Sequence, residues 1–67
     1  MEIILNNQSK EVATQSSLQN LLNESVGEKL KGIAVAVNEH VIPKTEWKKY
    51  LLNEKDDVLI IKATQGG

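Results

Sequence analysis

The sequence contains no cysteine, no block of basic residues and no long apolar run. Without cysteine the chain can form neither a disulfide nor a thiolate metal site. Its net charge of −1 comes from interspersed acidic and basic residues, so we expect no nucleic-acid partner. No segment approaches membrane-spanning length and the N-terminus lacks a signal-peptide pattern, so we expect no membrane association and a cytoplasmic location.

Chain length and aliphatic content favour one small domain. The 67 residues are near the lower limit for folding without disulfides or metals. Twenty leucine, isoleucine and valine side chains supply the core, at about 1.5–3 kcal/mol for each one fully buried. Because chain entropy offsets most of that gain, we predict a compact fold with no room for a deep internal active site.

Short apolar segments predict the strands. By residue number they are 1–5, 9–13, 33–37, 41–42 and a last strand from 58 onward. Asn6–Gln8 is predicted to turn the chain between the first two strands. The fourth strand is predicted to end at Pro43, which has no backbone N–H. Thr45 is then predicted to cap one helical turn over 46–49.

One segment has the periodicity of an amphipathic helix. Its apolar residues recur at i, i+3, i+4 and i+8, and they are Leu18, Leu21, Leu22 and Val26. Ser16 or Ser17 offers the hydroxyl for an N-cap. Gly27 is predicted to end the helix in a left-handed conformation.

The predicted element order is β-β-α-β, then a short strand and a final strand. One amphipathic helix can cover one face of a mixed sheet, which gives a two-layer α+β fold. A right-handed crossover through the helix is expected to make the third strand parallel to the first. The last strand is the most apolar, so we place it centrally. This arrangement is a ubiquitin-like β-grasp roll with four to five strands.

The last strand runs into two glycines. We expect residues 1–63 to form the domain and 64–67 to form a flexible tail. Four residues beyond Ala63 can carry a terminal carboxylate ~14 Å from the body. Glycine suits a close approach to another surface, so Thr64, Gln65 and Gly66 are predicted to enter a partner's active site. The Gly67 carboxylate is the predicted reactive group, and it needs activation because it is ionised at neutral pH.

Several motifs, taken in order, resemble the thiamin-biosynthesis sulfur carrier family (ThiS). The matching pieces are Met1–Leu5, Leu18-x-x-Leu21-Leu22, Val35-Ala36-Val37-Asn38, Val41-Ile42-Pro43, Trp47 and Gly66-Gly67. Two positions depart from the family pattern. Glu39 stands where the family often has glycine or a small turn residue, and Lys55-Asp56-Asp57 lacks the glycine often seen before the aspartate.

The resemblance implies a chemistry for the tail. An ATP-using, ubiquitin-activating-like adenylyltransferase would adenylate the Gly67 carboxylate. Sulfur from a desulfurase system would then displace AMP and leave a thiocarboxylate. The implied acceptor is thiazole synthase, which builds the thiazole ring of thiamin. The chain itself would be a protein co-substrate and not an enzyme, with no catalytic residue, no metal and no bound cofactor, since the partner uses the ATP.

Alternation along the strands predicts where such a partner would dock. Lys62 is expected to point to solvent, which places Val58 and Ile60 on the outer sheet face and the residues between them toward the helix. Glu2 places Ile4 on the same outer face. Contiguous exposed apolar surface usually marks a partner site. The predicted docking patch is therefore Ile4, Val58 and Ile60, with Ala34 and Ala36 beside them.

Other functions stay open from the sequence. The same tail could serve molybdopterin synthesis or tRNA thiolation, or could be joined to lysines as a protein modifier. A plain β-grasp interaction module is a third class. The sequence names neither the sulfur acceptor, nor the sulfur donor, nor the oligomeric state.

Catalytic and metal sites within the body are not favoured. His40 is the only histidine and has no cysteine near it. No nucleophile elbow supports a triad of Ser25, His40 and Asp57. The acidic segment 54–57 lacks the calcium-loop pattern and is predicted to be a solvated turn. Trp47 is predicted to lie in the core or as a lid at its edge.

Overall fold

The structure, a computed structural model, describes residues 1–26 and 32–62. Its elements are β1 (Glu2–Leu5), β2 (Gln8–Glu11), α1 (Leu18–Ser25), β3 (Ile33–Val37), β4 (His40–Val41), a 3-10 helix (Lys44–Glu46) and β5 (Asp57–Lys62). The predicted α+β class and element order are confirmed. The predicted helix stop at Gly27 and the predicted tail at 64–67 lie outside the described residues.

The strands form one mixed sheet in the order β2-β1-β5-β3-β4. β5 is parallel to β1 and antiparallel to β3, so the central place predicted for the last strand is confirmed. Since β1 is parallel to β5 and β3 is antiparallel to β5, β3 is antiparallel to β1. The prediction that the third strand is parallel to the first is therefore wrong. The crossover rule concerns parallel neighbours, and the parallel neighbour of β1 is β5.

The helix and the inner sheet face share one core. Leu18, Leu21 and Leu22 of α1 are buried, as their spacing predicts. They cluster with buried residues of the strands and of the segment that follows β4, which are Ile3, Val35, Val37, Ile42, Trp47, Leu52 and Val58. Trp47 is in the core, and its Nε1 donates to the Ile42 carbonyl at 2.9 Å. That bond satisfies the only polar atom of the buried indole.

The N-terminus of α1 is bonded to the rest of the chain. Ser17 is the N-cap, and its hydroxyl accepts a hydrogen bond from Asn20 N at 3.1 Å. Leu18 N donates to the Tyr50 carbonyl at 2.8 Å, and Gln19 N donates to the Trp47 carbonyl at 3.0 Å. These bonds pair N–H groups that have no partner within the helix.

The cap predicted at Thr45 is wrong. The 3-10 helix begins after Pro43, which has no side-chain capping bond. Backbone bonds close this turn instead, with Glu46 N donating to the Pro43 carbonyl at 2.9 Å. A turn this short leaves few unpaired N–H groups for a side chain to satisfy.

Both hairpin turns have a left-handed backbone. Asn6 and Asn7 have φ of 48° and 68°, and Asn38 and Glu39 have φ of 51° and 72°. Two consecutive residues with positive φ form the turn whose twist matches that of the flanking strands. Lys55 also has a positive φ, of 69°. The two departures from the family pattern, at Glu39 and before Asp56, therefore put side chains on backbone that glycine adopts without strain.

Replacing Glu39 with glycine is expected to stabilise the protein. The left-handed conformation costs a residue with a Cβ about 1–2 kcal/mol, whereas glycine adds about 0.4–1 kcal/mol of unfolded-state entropy. The net gain of up to about 1.6 kcal/mol should raise the midpoint of urea unfolding with an unchanged m-value. Glu39→Gln is the control, because it removes the charge and keeps the Cβ. An equal rise in both variants would show that charge, and not backbone strain, limits stability here.

Candidate functional site

β5 leads the chain to its C-terminal residues. The strand lies at the centre of the sheet, between β1 and β3. Five residues follow Lys62 in the sequence and end in Gly66-Gly67. They lie outside the described residues, so the roles of Thr64, Gln65, Gly66 and Gly67 and the boundary at residue 63 stay predictions. What the structure describes is the body that presents them.

Asn38 secures the start of β5. Its Oδ1 accepts from Asp57 N at 3.0 Å, and its own N–H donates to the Asp57 carbonyl at 2.8 Å. The Asn38 amide also donates to Asp56 Oδ1 at 3.0 Å, while Asp56 Oδ2 accepts from Asn53 N at 2.8 Å. Asp56 is only 7% exposed. The prediction that this acidic segment is wholly solvated is therefore wrong for Asp56. Its buried carboxylate is hydrogen-bonded both to the turn at Asn38 and to the turn at Asn53.

Asn6 secures the middle of β5 from the other side. β1 ends at Leu5, which lies opposite Val58. Asn6 N then donates to the Val58 carbonyl at 2.9 Å, and Asn6 Oδ1 accepts from Ile60 N at 2.8 Å. The side chain supplies the acceptor that a longer β1 would have provided. β5 is thus bonded on both sides beyond the end of its parallel partner.

The turn before β5 is joined to β1. Lys55 N donates to the Glu2 carbonyl at 2.7 Å, and the Lys55 ammonium bonds the Glu2 carboxylate. That hydrogen bond holds the pKa of the Glu2 carboxyl below its ordinary value and raises the pKa of Lys55. Both groups are solvent-exposed, so water screens the pair and the backbone bond is the firmer link.

Removing the Asn38 side chain is expected to destabilise the fold. Asn38→Gly keeps the positive φ and loses one neutral hydrogen bond and one to a carboxylate, which together contribute about 2–4 kcal/mol. Urea unfolding should show this loss. Asn7→Gly is the matched control, since Asn7 also has positive φ and its side chain makes no hydrogen bond within residues 1–26 and 32–62. Equal losses in the two variants would contradict the role given to the Asn38 amide.

The outer face predicted for the last strand is wrong by one residue. Val58 has no exposed surface, and Ile60 packs against the core. Leu59 and Ile61 instead face outward, with exposed fractions of 43% and 52%. Lys62 shares the inner face with Val58 and is exposed because the strand ends there. Because Lys62 lies at the end of the strand, its charge does not indicate which face of the strand is buried.

The apolar surface of the outer face consists of other residues. Ala36 lies opposite Leu59 of β5 and Val41 of β4, and Ala34 lies opposite Ile61. Val41 is 73% exposed. We define the outer patch as these residues: Ala34, Ala36, Val41, Leu59 and Ile61.

One member of the predicted docking patch does point to the outer face. Ile3 is fully buried and Leu5 packs against the core. Because side chains alternate along a strand, Ile4 between them points outward. It lies opposite Asp57, next to the outer patch. Ile4, Ala34 and Ala36 are thus on the predicted face, whereas Val58 and Ile60 are not.

The described part of the chain shows no metal cluster. Across residues 1–26 and 32–62, no three histidine, aspartate or glutamate side chains are grouped to hold an ion. Over the same residues no helix has the length and apolar character needed to cross a bilayer.

Comparison with known proteins decides the family. The model of the ThiS family matches residues 3–67. The chain belongs to the ThiS family. The sulfur carrier protein ThiS of Escherichia coli (strain K12) is 27% identical over 67 residues, which cover 100% of both chains. The family is the one that the motifs of the sequence resemble.

A solved ThiS structure confirms the fold. The crystal structure of the thiamine biosynthesis protein (ThiS) from Geobacter metallireducens matches 100% of both chains with a TM-score of 0.86. The sequence identity is 19%, so this likeness bears on the fold alone. It confirms the ubiquitin-like β-grasp roll for this ThiS-family chain.

Proposed function

We propose that this protein carries sulfur as a thiocarboxylate on Gly67. The observation that carries the proposal is the family match, which runs through the C-terminal diglycine to residue 67. The fold supports it, since the strand next to the tail is held on both sides by β1 and β3. A rigid lead-in strand limits the search that the tail must make for a partner's active site.

The proposed chemistry begins at the Gly67 carboxylate. One of its oxygens attacks the α-phosphorus of ATP within an adenylyltransferase, which releases pyrophosphate and forms an acyl adenylate. A persulfide from a desulfurase system attacks the acyl carbon, and AMP leaves. A partner thiol then cleaves the S–S bond, becomes part of a disulfide and releases the thiocarboxylate. This chain has no cysteine, so every thiol in the sequence of reactions belongs to a partner.

The glycines suit the first step. Adenylation brings the terminal backbone against a nucleotide, and residues 66 and 67 have no Cβ to obstruct that approach. Thr64 and Gln65 connect these glycines to the body. The acceptor of the sulfur is thiazole synthase in this proposal, because the family serves thiamin biosynthesis.

Changes in the tail should abolish transfer without affecting the fold. A chain lacking Gly67 is expected to accept no sulfur, and Gly66→Ala should lower kcat/KM for adenylation by tenfold or more, equivalent to about 1.4 kcal/mol of steric cost. Pyrophosphate exchange measures adenylation, and intact mass measures replacement of oxygen by sulfur. Lys48→Ala, at an exposed site in the body, is the control. Sulfur transfer by the chain lacking Gly67 would contradict the scheme.

The same mass measurement separates the rival functions. Protein isolated from its own cells should carry the oxygen-to-sulfur increase if it is a carrier. Covalent ladders of higher mass would instead identify a protein modifier. An unmodified chain that stays inert with ATP and the adenylyltransferase would identify an interaction module. Supplying the thiocarboxylate form to thiazole synthase, or to molybdopterin or tRNA-thiolation enzymes, would identify the acceptor.

The outer patch is the proposed docking surface for the adenylyltransferase. Ordering residues 64–67 costs about 1–2 kcal/mol per residue, so binding elsewhere must offset part of that cost. Val41, Leu59 and Ile61 are about half exposed or more, and covering them contributes about 2–4 kcal/mol. Exposed apolar side chains on three adjacent strands form the kind of contiguous surface that partners bind.

A matched pair of substitutions tests this docking. Ile61→Glu should raise the KM of the adenylyltransferase for this chain by tenfold or more, because it places a charge in the contact. Leu51→Glu is the control. Leu51 has nearly the same exposure, 54% against 52%, but it bridges to Ser17 beside the helix N-terminus. Equal KM values in the two variants, with both folds intact by urea unfolding, would remove the outer patch from the interface.

A further inference from the structure

A small hollow lies at one end of the outer patch. Its volume is 270 Å³, and it is lined by Asn7, Ala36, Glu39, Asp57 and Leu59. Ala36 and Leu59 belong to the outer patch, so the hollow is continuous with it. Asp57 is the first residue of β5, which places the hollow at the end of the strand that is remote from the tail. We call it the acidic hollow.

Two carboxylates determine the charge of the acidic hollow. Glu39 lies in the turn between β3 and β4, and both Glu39 and Asp57 are exposed. The ion pairs within residues 1–26 and 32–62 join Glu11 to the N-terminal amine and Glu2 to Lys55. The backbone of Asp57, and not its carboxylate, bonds to Asn38. The carboxylates of Glu39 and Asp57 therefore have no ion-pair partner in the described chain. They flank the apolar side chains of Ala36 and Leu59.

The size of the acidic hollow favours one side chain as its occupant. Small-molecule sites usually enclose about 300–1,000 Å³, and this hollow is smaller and open to solvent. A metal ion would need more ligands than these two carboxylates, and the described residues contain no cluster of three. A lysine or arginine stem can lie on Ala36 and Leu59 while its charged end meets Glu39 and Asp57. Arginine fits best, because its guanidinium bonds carboxylates through several N–H groups.

We infer that the acidic hollow receives an arginine or lysine side chain of the adenylyltransferase, and that this contact sets the direction in which the chain docks. The inference rests on the proposed function and names the partner's chemistry at its docking surface. An apolar patch alone is non-directional. An ion pair at one end of the patch makes the two directions unequal in energy, so it specifies which end of β5 points to the active site.

The opposite end of β5 supports this polarity. At that end the outer patch consists of Ile61 and, opposite it on β3, Ala34. Strands rise ~3.3 Å per residue, so the two ends of β5 are about 17 Å apart. A chain docked in reverse would place the partner's cation against these apolar side chains, which offer it no carboxylate. A cation covered without an ion-pair partner penalises the orientation that would turn the tail away from the active site.

Neutralising the acidic hollow tests the inference. The double variant Glu39→Gln/Asp57→Asn keeps side-chain shape and removes two charges. We expect the adenylyltransferase to show a KM at least tenfold higher for this variant, a weaker dependence of KM on salt, and a nearly unchanged kcat. Glu24→Gln/Glu46→Gln is the matched control, since it removes two exposed charges from α1 and the 3-10 helix and should leave KM nearly unchanged. Urea unfolding of both variants checks the fold.

The outcomes separate this inference from the proposed function. Normal adenylation of the unmodified chain, with an unchanged KM for Glu39→Gln/Asp57→Asn, would overturn the acidic hollow alone. An equal rise in KM for the control variant would also overturn it, because net charge would then explain the effect. If the unmodified chain is not adenylated at Gly67, the proposed function fails and this inference fails with it. A charge-reversing substitution in the partner that restores activity to Asp57→Lys would identify the basic residue.

Discussion

The hydrogen bonding of β5 is the constraint on which the rest of the structure depends. The strand is central, so both of its edges are paired, to β1 and to β3. Where β1 ends, the Asn6 side chain continues the bonding, and Asn38 bonds the first residue of the strand. Central strands with both edges paired are the last to open locally. The element that leads to the tail is therefore among the most firmly held parts of the body.

The rest of the described body is arranged around β5. Within residues 1–26 and 32–62, the core consists of aliphatic side chains and one tryptophan between α1 and the sheet. The outer sheet face instead carries apolar side chains and, at one end, two carboxylates. In the proposed function, the body supplies the docking surface and its direction, while the reactive group belongs to the tail. Activation and sulfur delivery are then left to the partners.

Much of the fold could be predicted from local patterns. Five aliphatic residues in a row located β3, and the i, i+3, i+4 leucines located α1, because periodicity depends only on neighbours in the chain.

The orientation of β5 could not be predicted in this way. Its run of apolar residues has no clear alternation, and the one charge used to orient it, Lys62, lies where the strand ends and both faces meet solvent. The residues missed for this reason, Leu59 and Ile61, are the ones that the outer face exposes. Asn6 and Asn38 offered a signal, since asparagine in a hairpin turn often bonds nearby backbone, but their partners are distant in sequence.

By itself, the sequence determined the class of the fold, the amphipathic helix and the diglycine at residues 66 and 67. These follow from composition, short-range periodicity and motif order. Only the tertiary structure decided which face of β5 is buried, which strand parallels β1, and that Asp56 is buried between two turns. Those features depend on strand register and on contacts between residues far apart in the chain, and a shift of one residue in register exchanges the two faces. The acidic hollow has the same origin, because Glu39 and Asp57 come together only when β3 pairs with β5.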